Sequence, residues 1–185
     1  ANTTSPYMFY QFWRNCDDEV VIHFLKILTF LDWSDVEEMQ RALDEDAGKR
    51  LPQVKLAQEV TRIVHGDDGV RAAERITDAL FANEIDSLAE GDLAQLALDG
   101  MSSTGISSSN VSLVDVLVSS GLAVTPRGDV THGQAKKLIR SNAVSVNGEK
   151  VEDEAMVLSR DLALYDRYLI LQKGKKNHHL VVFGD

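Results

Sequence analysis

The sequence predicts a mainly α part followed by a small α+β module, on three observations. Apolar residues recur at helical spacing through most of the first hundred positions. A Ser/Gly-rich stretch, "GMSSTGISSSN", follows at residues 100–110. Beyond it come two short helical patterns, an Asn-Gly hairpin signal and two β-rich runs.

The organisation expected is a helical bundle over residues 1–99, a flexible linker over 100–110 and an α+β module over 111–185. Charge divides in the same way. Residues 1–110 hold 9 Lys/Arg and 20 Asp/Glu, whereas residues 111–185 hold 10 and 9. The net of −10 for all 185 residues would argue against a polyanionic partner. The near-neutral second part removes that objection locally.

The elements follow in order. Ser5-Pro6 starts a helix, with Ser5 as N-cap and Pro6 in the first turn. Phe9, Phe12, Trp13 and Cys16 then share one face, predicted to be core. "EVVIHFLKILTFL" is apolar nearly all round and is expected to be the most buried helix, with His23 in its core or boundary. Ser34 and Glu37 suggest a capping box opening a third helix, with Val36, Met39 and Leu43 inward. A fourth helix starts near Pro52 and stops at Gly66; the next begins at Asp67-Asp68. "SLAEGDLAQLAL" supplies a last short one.

In the second part Ser112 caps a helix that ends at Gly121. Residues 122–130 read as a loop. Thr131 and Gln134 form a capping box, and Ala135, Leu138 and Ile139 make the buried stripe of the helix they open. Lys136, Lys137 and Arg140 have the same spacing rotated about half a turn, so they leave on the opposite side. "AVSVNGEKV" is a hairpin with its turn at Asn147-Gly148. Residues 152–166 read as a loop, and "RYLILQ" and "HLVVF" as strands flanking a second cationic loop with Lys173, Lys175 and Lys176.

Cations on rigid elements beside polar donors are what phosphate binding requires. The competing reading is a solvated surface paired with Glu149, Glu152, Asp153 and Glu154. Clustering on one face favours RNA.

A single cysteine, Cys16, excludes an internal disulfide. No apolar run is long enough for a membrane helix, and no charged-then-apolar leader opens the chain. A cytoplasmic protein without a membrane partner is expected. No metal site is expected either: His178-His179 are adjacent, which on a strand sends the rings to opposite faces.

"THGQAKKLIRSNAVSVNGEK" resembles the S-four-like RNA-binding domain of ribosomal proteins, pseudouridine synthases and heat-shock proteins. Together with "TSPYMFYQFWRN", "FLKILTFL" and "LAQEVTRIVHGDDGVRAAERITDALF", it makes the whole chain similar to the bacterial tyrosyl-tRNA synthetases. That resemblance implies an anticodon-binding helical domain and a C-terminal domain gripping the anticodon stem and variable arm of tyrosine tRNA. The resemblance carries RNA binding onto Gln134, Lys136, Lys137, Arg140, Asn147 and Lys150, and Thr131, His132, Lys173, Lys175 and Lys176 complete the expected RNA-binding set. Thr131-His132 stands where the family has Ser-Arg.

The family's nucleotide-binding signatures do not occur, and no βαβ pattern is present to hold a nucleotide. The expectation is therefore a tRNA-binding portion with no catalytic residue and no cofactor of its own. ATP and Mg would belong to the ligase's catalytic domain, through which the parent enzyme would dimerise; the fragment alone would be monomeric. Two other readings stand beside it: a free-standing S-four-like RNA-binding regulator, and a helical protein-interaction domain.

Overall fold

The computed structural model describes residues 4–125, 127–174 and 177–184. Two compact units divide at Thr77/Asp78.

In the first unit, α1 (Pro6–Arg14) is capped as the sequence predicts: the Ser5 hydroxyl accepts the Met8 N–H at 3.1 Å. Phe9, Trp13 and Cys16 of the expected stripe pack against the core, but Phe12 does not, and Tyr10 is the fully buried residue. Tyr10 is 1% exposed, whereas Phe12 is 68% exposed. Apolar side chains surround this helix, so periodicity marks several candidate faces and the packing partner selects one.

Helix α2 (Asp18–Leu28) buries Val21, Ile22 and Leu25 against Val36, Leu56 and Val60. The expectation of burial all round is corrected. His23 and Ile27 are exposed, and so is Phe30 just beyond the helix. Among the described residues the buried positions of α2 fall on one side, toward Val36, Leu56 and Val60.

Helix α3 (Trp33–Glu45) begins one residue before the expected Ser34 cap, with Asp32 at the N-cap. Glu37 instead accepts the Trp33 indole N–H at 2.8 Å. Met39 and Leu43 pack on the core as predicted.

Helix α4 (Leu51–Ala82) is broken at Gly66, where φ is 73° and ψ 179°. The predicted stop and restart are thus a single-residue interruption that glycine adopts without Cβ strain. The unit boundary falls in its last turns.

The second unit begins there. Short α5 (Glu90–Gln95) follows; the Asp92 carboxylate accepts the Ala89 N–H at 2.9 Å, and a π-helical turn, Leu96–Gly100, ends the run. The stretch expected to be a linker instead carries β1 (Ser103–Ile106) and β2 (Asn110–Ser112). Neither has the apolar alternation by which strands are recognised. Each is a strand because a distant one presents its backbone to it.

Helices α6 (Leu113–Ser119) and α7 (His132–Arg140) come next. Gly121 ends α6 at φ 75°. The intervening loop closes on itself through a Val124–Val130 bridge. The hairpin is β3 (Val144–Val146) and β4 (Glu149–Lys150). Its turn has Asn147 at φ 47° and Gly148 at φ 87°, the two positive values of the Asn-Gly hairpin.

The expected loop after it contains β5 (Val157–Ser159) and a 3-10 turn at Arg160–Leu162. β6 (Tyr168–Lys173) and β7 (Asn177–Phe183) complete the chain as predicted. The five-stranded sheet runs β1-β7-β6-β3-β4, antiparallel except for β1–β7. β2 and β5 form a separate antiparallel pair. Helices α6 and α7 bury Leu117, Ala135 and Ile139 with Val144, Leu169, Leu171 and Val181 of the sheet.

Candidate nucleic-acid interface

Helix α7 carries most of the candidate residues, and its orientation follows from its sequence. Ala135, Leu138 and Ile139 are buried. Lys136, Lys137 and Arg140 are therefore turned outward, and all three are exposed. Thr131 fixes the first turn: its hydroxyl accepts the Gln134 N–H at 3.1 Å. Gln134 itself is half-buried. The cation spacing and the cap stand as predicted.

The partners of these cations come from other elements. Arg140 spans the carboxylate of Glu154, Nε to Oε1 and Nη2 to Oε2, the latter at 3.2 Å. His132 Nε2 lies 3.1 Å from Asp115 Oδ1 on α6. Lys136 and Lys137 have no ion-pair partner among the described residues. The surface is neither wholly unpaired nor wholly neutralised. Of the four carboxylates weighed as partners, Glu154 alone is paired among the described residues.

Lys150 stands exposed on β4 beside the hairpin turn. Asn147 is engaged within the fold. Its Nδ2 donates to the Leu162 carbonyl at 2.8 Å, and its Oδ1 accepts the Ile170 N–H at 2.9 Å. Lys173 donates its ammonium to the Leu122 carbonyl at 2.7 Å and is half-buried. Both side chains thus hold loops onto β6. Lys175 and Lys176 lie outside the described residues.

A cleft of about 430 Å³ opens on this unit. Val146, Val151, Met156 and Leu164 supply apolar wall, Asp86, Glu149, Glu152 and Asp153 supply carboxylates, and the candidate residues Asn147 and Lys150 line it as well. Four carboxylates to one lysine leave the rim net acidic, so phosphate is favoured less here than on the outward face of α7.

His178 and His179 belong to the sheet. His179 is 3% exposed; its Nδ1 is 3.0 Å from the Ser102 hydroxyl and its Nε2 2.8 Å from that of Thr104. Burial lowers its pKa from the ordinary histidine value. No cluster of three or more metal-ligating side chains occurs among the described residues. No helix among them is long and apolar enough to cross a membrane.

Sequence reasoning missed Glu154 and Asp115 as the specific counter-charges. Glu154 was visible only as one of four neighbouring acids, and Asp115 lies seventeen positions from His132.

Comparison with known proteins places these observations. Residues 92–181 match the family described as the tyrosine–tRNA ligase SYY-like C-terminal domain. Residues 1–82 match the class I tRNA synthetases (W and Y). The chain is similar to the tyrosine–tRNA ligase of Aliivibrio fischeri, 43% identical over 183 residues, covering 99% of this chain and 42% of that protein. It is 44% identical over 178 residues to tyrosine–tRNA ligase 1 of Vibrio parahaemolyticus, 96% of this chain and 40% of that one. For the tyrosine–tRNA ligase of Klebsiella pneumoniae the identity is 42% over 179 residues, 96% and 40%. The chain thus spans about two fifths of the length of the curated relatives it matches. Among solved structures, a C-terminally truncated Aspergillus nidulans mitochondrial tyrosyl-tRNA synthetase matches 42% of this chain and 23% of its own, at 31% identity and TM-score 0.41.

Proposed function

This chain belongs to the tyrosine–tRNA ligase family, and we propose that it is the tRNA-binding portion of such a ligase, recognising tyrosine tRNA without catalysing its charging. The observation that carries this reading is the likeness to these ligases along nearly the whole chain, 43% over 99% of its residues. The whole ligase would join tyrosine to its tRNA with ATP and Mg, in a part of the relatives' length that this chain does not span. Dimerisation would rest on that part too, leaving the chain alone a monomer.

The helical part would meet the anticodon region. The α+β module would grip the anticodon stem and the long variable arm. Lys136 and Lys137 supply mobile point charges for phosphate on a helix whose other side is locked in the core. Arg140 supplies a planar fork suited to bidentate phosphate. Lys150 extends the cationic surface to the hairpin. Thr131 and Asn147 contribute by holding the helix start and the hairpin rather than by reaching outward.

A titration of the chain with bacterial tyrosine tRNA, against a tRNA lacking the long variable arm, at two salt concentrations, tests the reading. Tighter and salt-sensitive binding of the long-armed tRNA is expected, because each phosphate contact releases counterions. Equal affinity for both would overturn tyrosine-tRNA recognition by this chain. Tyrosine-dependent ATP–pyrophosphate exchange by the purified chain would overturn its assignment as non-catalytic.

A further inference from the structure

Helices α2 and α3 of the first unit enclose a cleft of about 200 Å³. Helical spacing brings its residues together. Ile22 and Lys26 lie one turn apart on α2, and Trp33, Val36, Glu37 and Gln40 recur at i, i+3, i+4 and i+7 on α3. Ile22 and Val36 are buried and form the floor. Trp33 is the wall. It is 64% exposed, although tryptophan is mostly buried in folded chains. The ring is nonetheless held. Its indole N–H donates to Glu37 Oε1 at 2.8 Å, and Lys26 Nζ stands 4.9 Å from the ring centroid. The rim is polar. Lys26 has no ion-pair partner among the described residues. Gln40 Nε2 donates to Asp44 Oδ1 at 2.9 Å, which leaves its carbonyl oxygen as an acceptor. Glu37 keeps a second carboxylate oxygen beside the one that holds Trp33.

We propose that this cleft takes one unstacked nucleobase of the tRNA, with Trp33 as the stacking surface and Lys26, Glu37 and Gln40 as partners for the base edge. The proposal rests on the reading of the chain as a tRNA-binding portion. A splayed base needs a π-face to stack on and polar groups to bond its edge. The cleft offers a held aromatic ring, one donor and two acceptors. A backbone phosphate fits it worse. Residues 1–110 hold 9 Lys/Arg against 20 Asp/Glu, so the field of this part favours a neutral group over an anion. The base must displace the Lys26 ammonium from the ring. That exchange is favourable, because an exposed cation–π contact is weaker than a base–aromatic stack. The freed ammonium stays at the rim, where it can donate to a carbonyl of the base.

The chain has two tryptophans, Trp13 and Trp33, so indole fluorescence reports the stack directly. Titration with bacterial tyrosine tRNA should quench the emission. Trp33→Phe should remove most of that quench and change affinity, read by filter binding, less than about twofold, since a flat ring remains. Trp33→Ala should weaken binding about five- to fiftyfold, the scale of one lost stack. Quenching that persists in Trp33→Phe would assign the response to Trp13 and overturn the proposal. Trp33→Phe as weak as Trp33→Ala would overturn stacking. Unchanged affinity in Trp33→Ala would leave the cleft to a protein partner and overturn the proposal too. Thermal melting of each variant checks folding; should Trp33→Ala melt early, the quench lost in Trp33→Phe carries the test. The two levels separate cleanly. Failure of the parent chain to bind tyrosine tRNA removes the tRNA reading itself. Parent binding that Trp33→Ala leaves intact removes only the role of Trp33.

Discussion

Asn83 donates its side-chain Nδ2 to the Gly148 carbonyl at 2.9 Å, tying the residue just beyond α4 to the tip of the β3–β4 hairpin. The contact is close on both sides. A Cβ added at Gly148 would lie 3.1 Å from the Asn83 carbonyl oxygen and 3.2 Å from its Nδ2. Gly148 also stands at φ 87°, and Asn83 itself at φ 61°.

Gly148→Ala should therefore destabilise the second unit by about 1–3 kcal/mol, combining left-handed strain with crowding. Asn83→Ala should cost about 1–2 kcal/mol, from a lost hydrogen bond and a left-handed alanine. Asn83→Gly removes the bond but relieves the backbone, so it should cost less. Denaturant titration checks all three; Asn83→Gly as harmful as Asn83→Ala would assign the whole effect to the hydrogen bond.

Asn147 separates fold from binding. Its side chain bonds both the Leu162 carbonyl and the Ile170 N–H. Asn147→Ala should lower stability by about 1–3 kcal/mol, the scale of one part-buried and one exposed hydrogen bond together with a left-handed alanine. Tyrosine-tRNA affinity, measured by titration well below the melting temperature, should change little. A large affinity loss at full folding would return Asn147 to the RNA surface.

The cationic face has its own test. Lys136→Ala with Arg140→Ala should weaken tRNA binding by roughly 1–3 kcal/mol and flatten the salt dependence. Stability should barely move, since both side chains are exposed. Binding isotherms at several salt concentrations read both effects.

Lys173→Met should behave in the opposite way. Its ammonium holds the Leu122 carbonyl at 2.7 Å. Stability should fall by about 1 kcal/mol. RNA affinity should stay within twofold, as a titration beside the parent chain would show.

The buried His179 predicts a pH dependence. Burial lowers its folded pKa below the unfolded value. The unfolded chain therefore binds the proton more readily, and the stabilisation is whole above the ordinary histidine pKa. It is lost as pH falls from there through the depressed folded value. His65, also lowered by burial, acts in the same direction. Denaturation at pH 7.5 and at pH 5 should show the loss, and His179→Gln should shrink it. An undiminished pH effect in that variant would assign it to other groups.

The legible parts of this protein are those in which cause and effect lie a few residues apart. Ser5 and Thr131 reveal helix starts because the N–H groups they cap lie three positions on. Gly66 marks a break because only its own φ matters. Asn147-Gly148 announces a hairpin whose geometry is set within two residues. The outward turn of Lys136, Lys137 and Arg140 follows from the buried stripe of their own helix.

Less was legible wherever a choice needed a partner. The stripe on α1 was offered by several aromatic residues, and packing took Tyr10 and left Phe12 in water. Residues 103–106 carry no strand pattern, and became β1 because β7 presented an unpaired edge.

From its sequence alone this chain has the helix starts at Ser5 and Thr131, the break at Gly66, its hairpin, its family likeness and the helix that carries its cations. Tertiary structure alone decided that Glu154 holds Arg140, that Asp115 faces His132, and that Asn147 and Lys173 serve the fold. The physical reason is distance along the chain. Caps and turns are written in neighbouring residues, whereas these pairs join groups 14 to 51 positions apart, which only the closed core brings together.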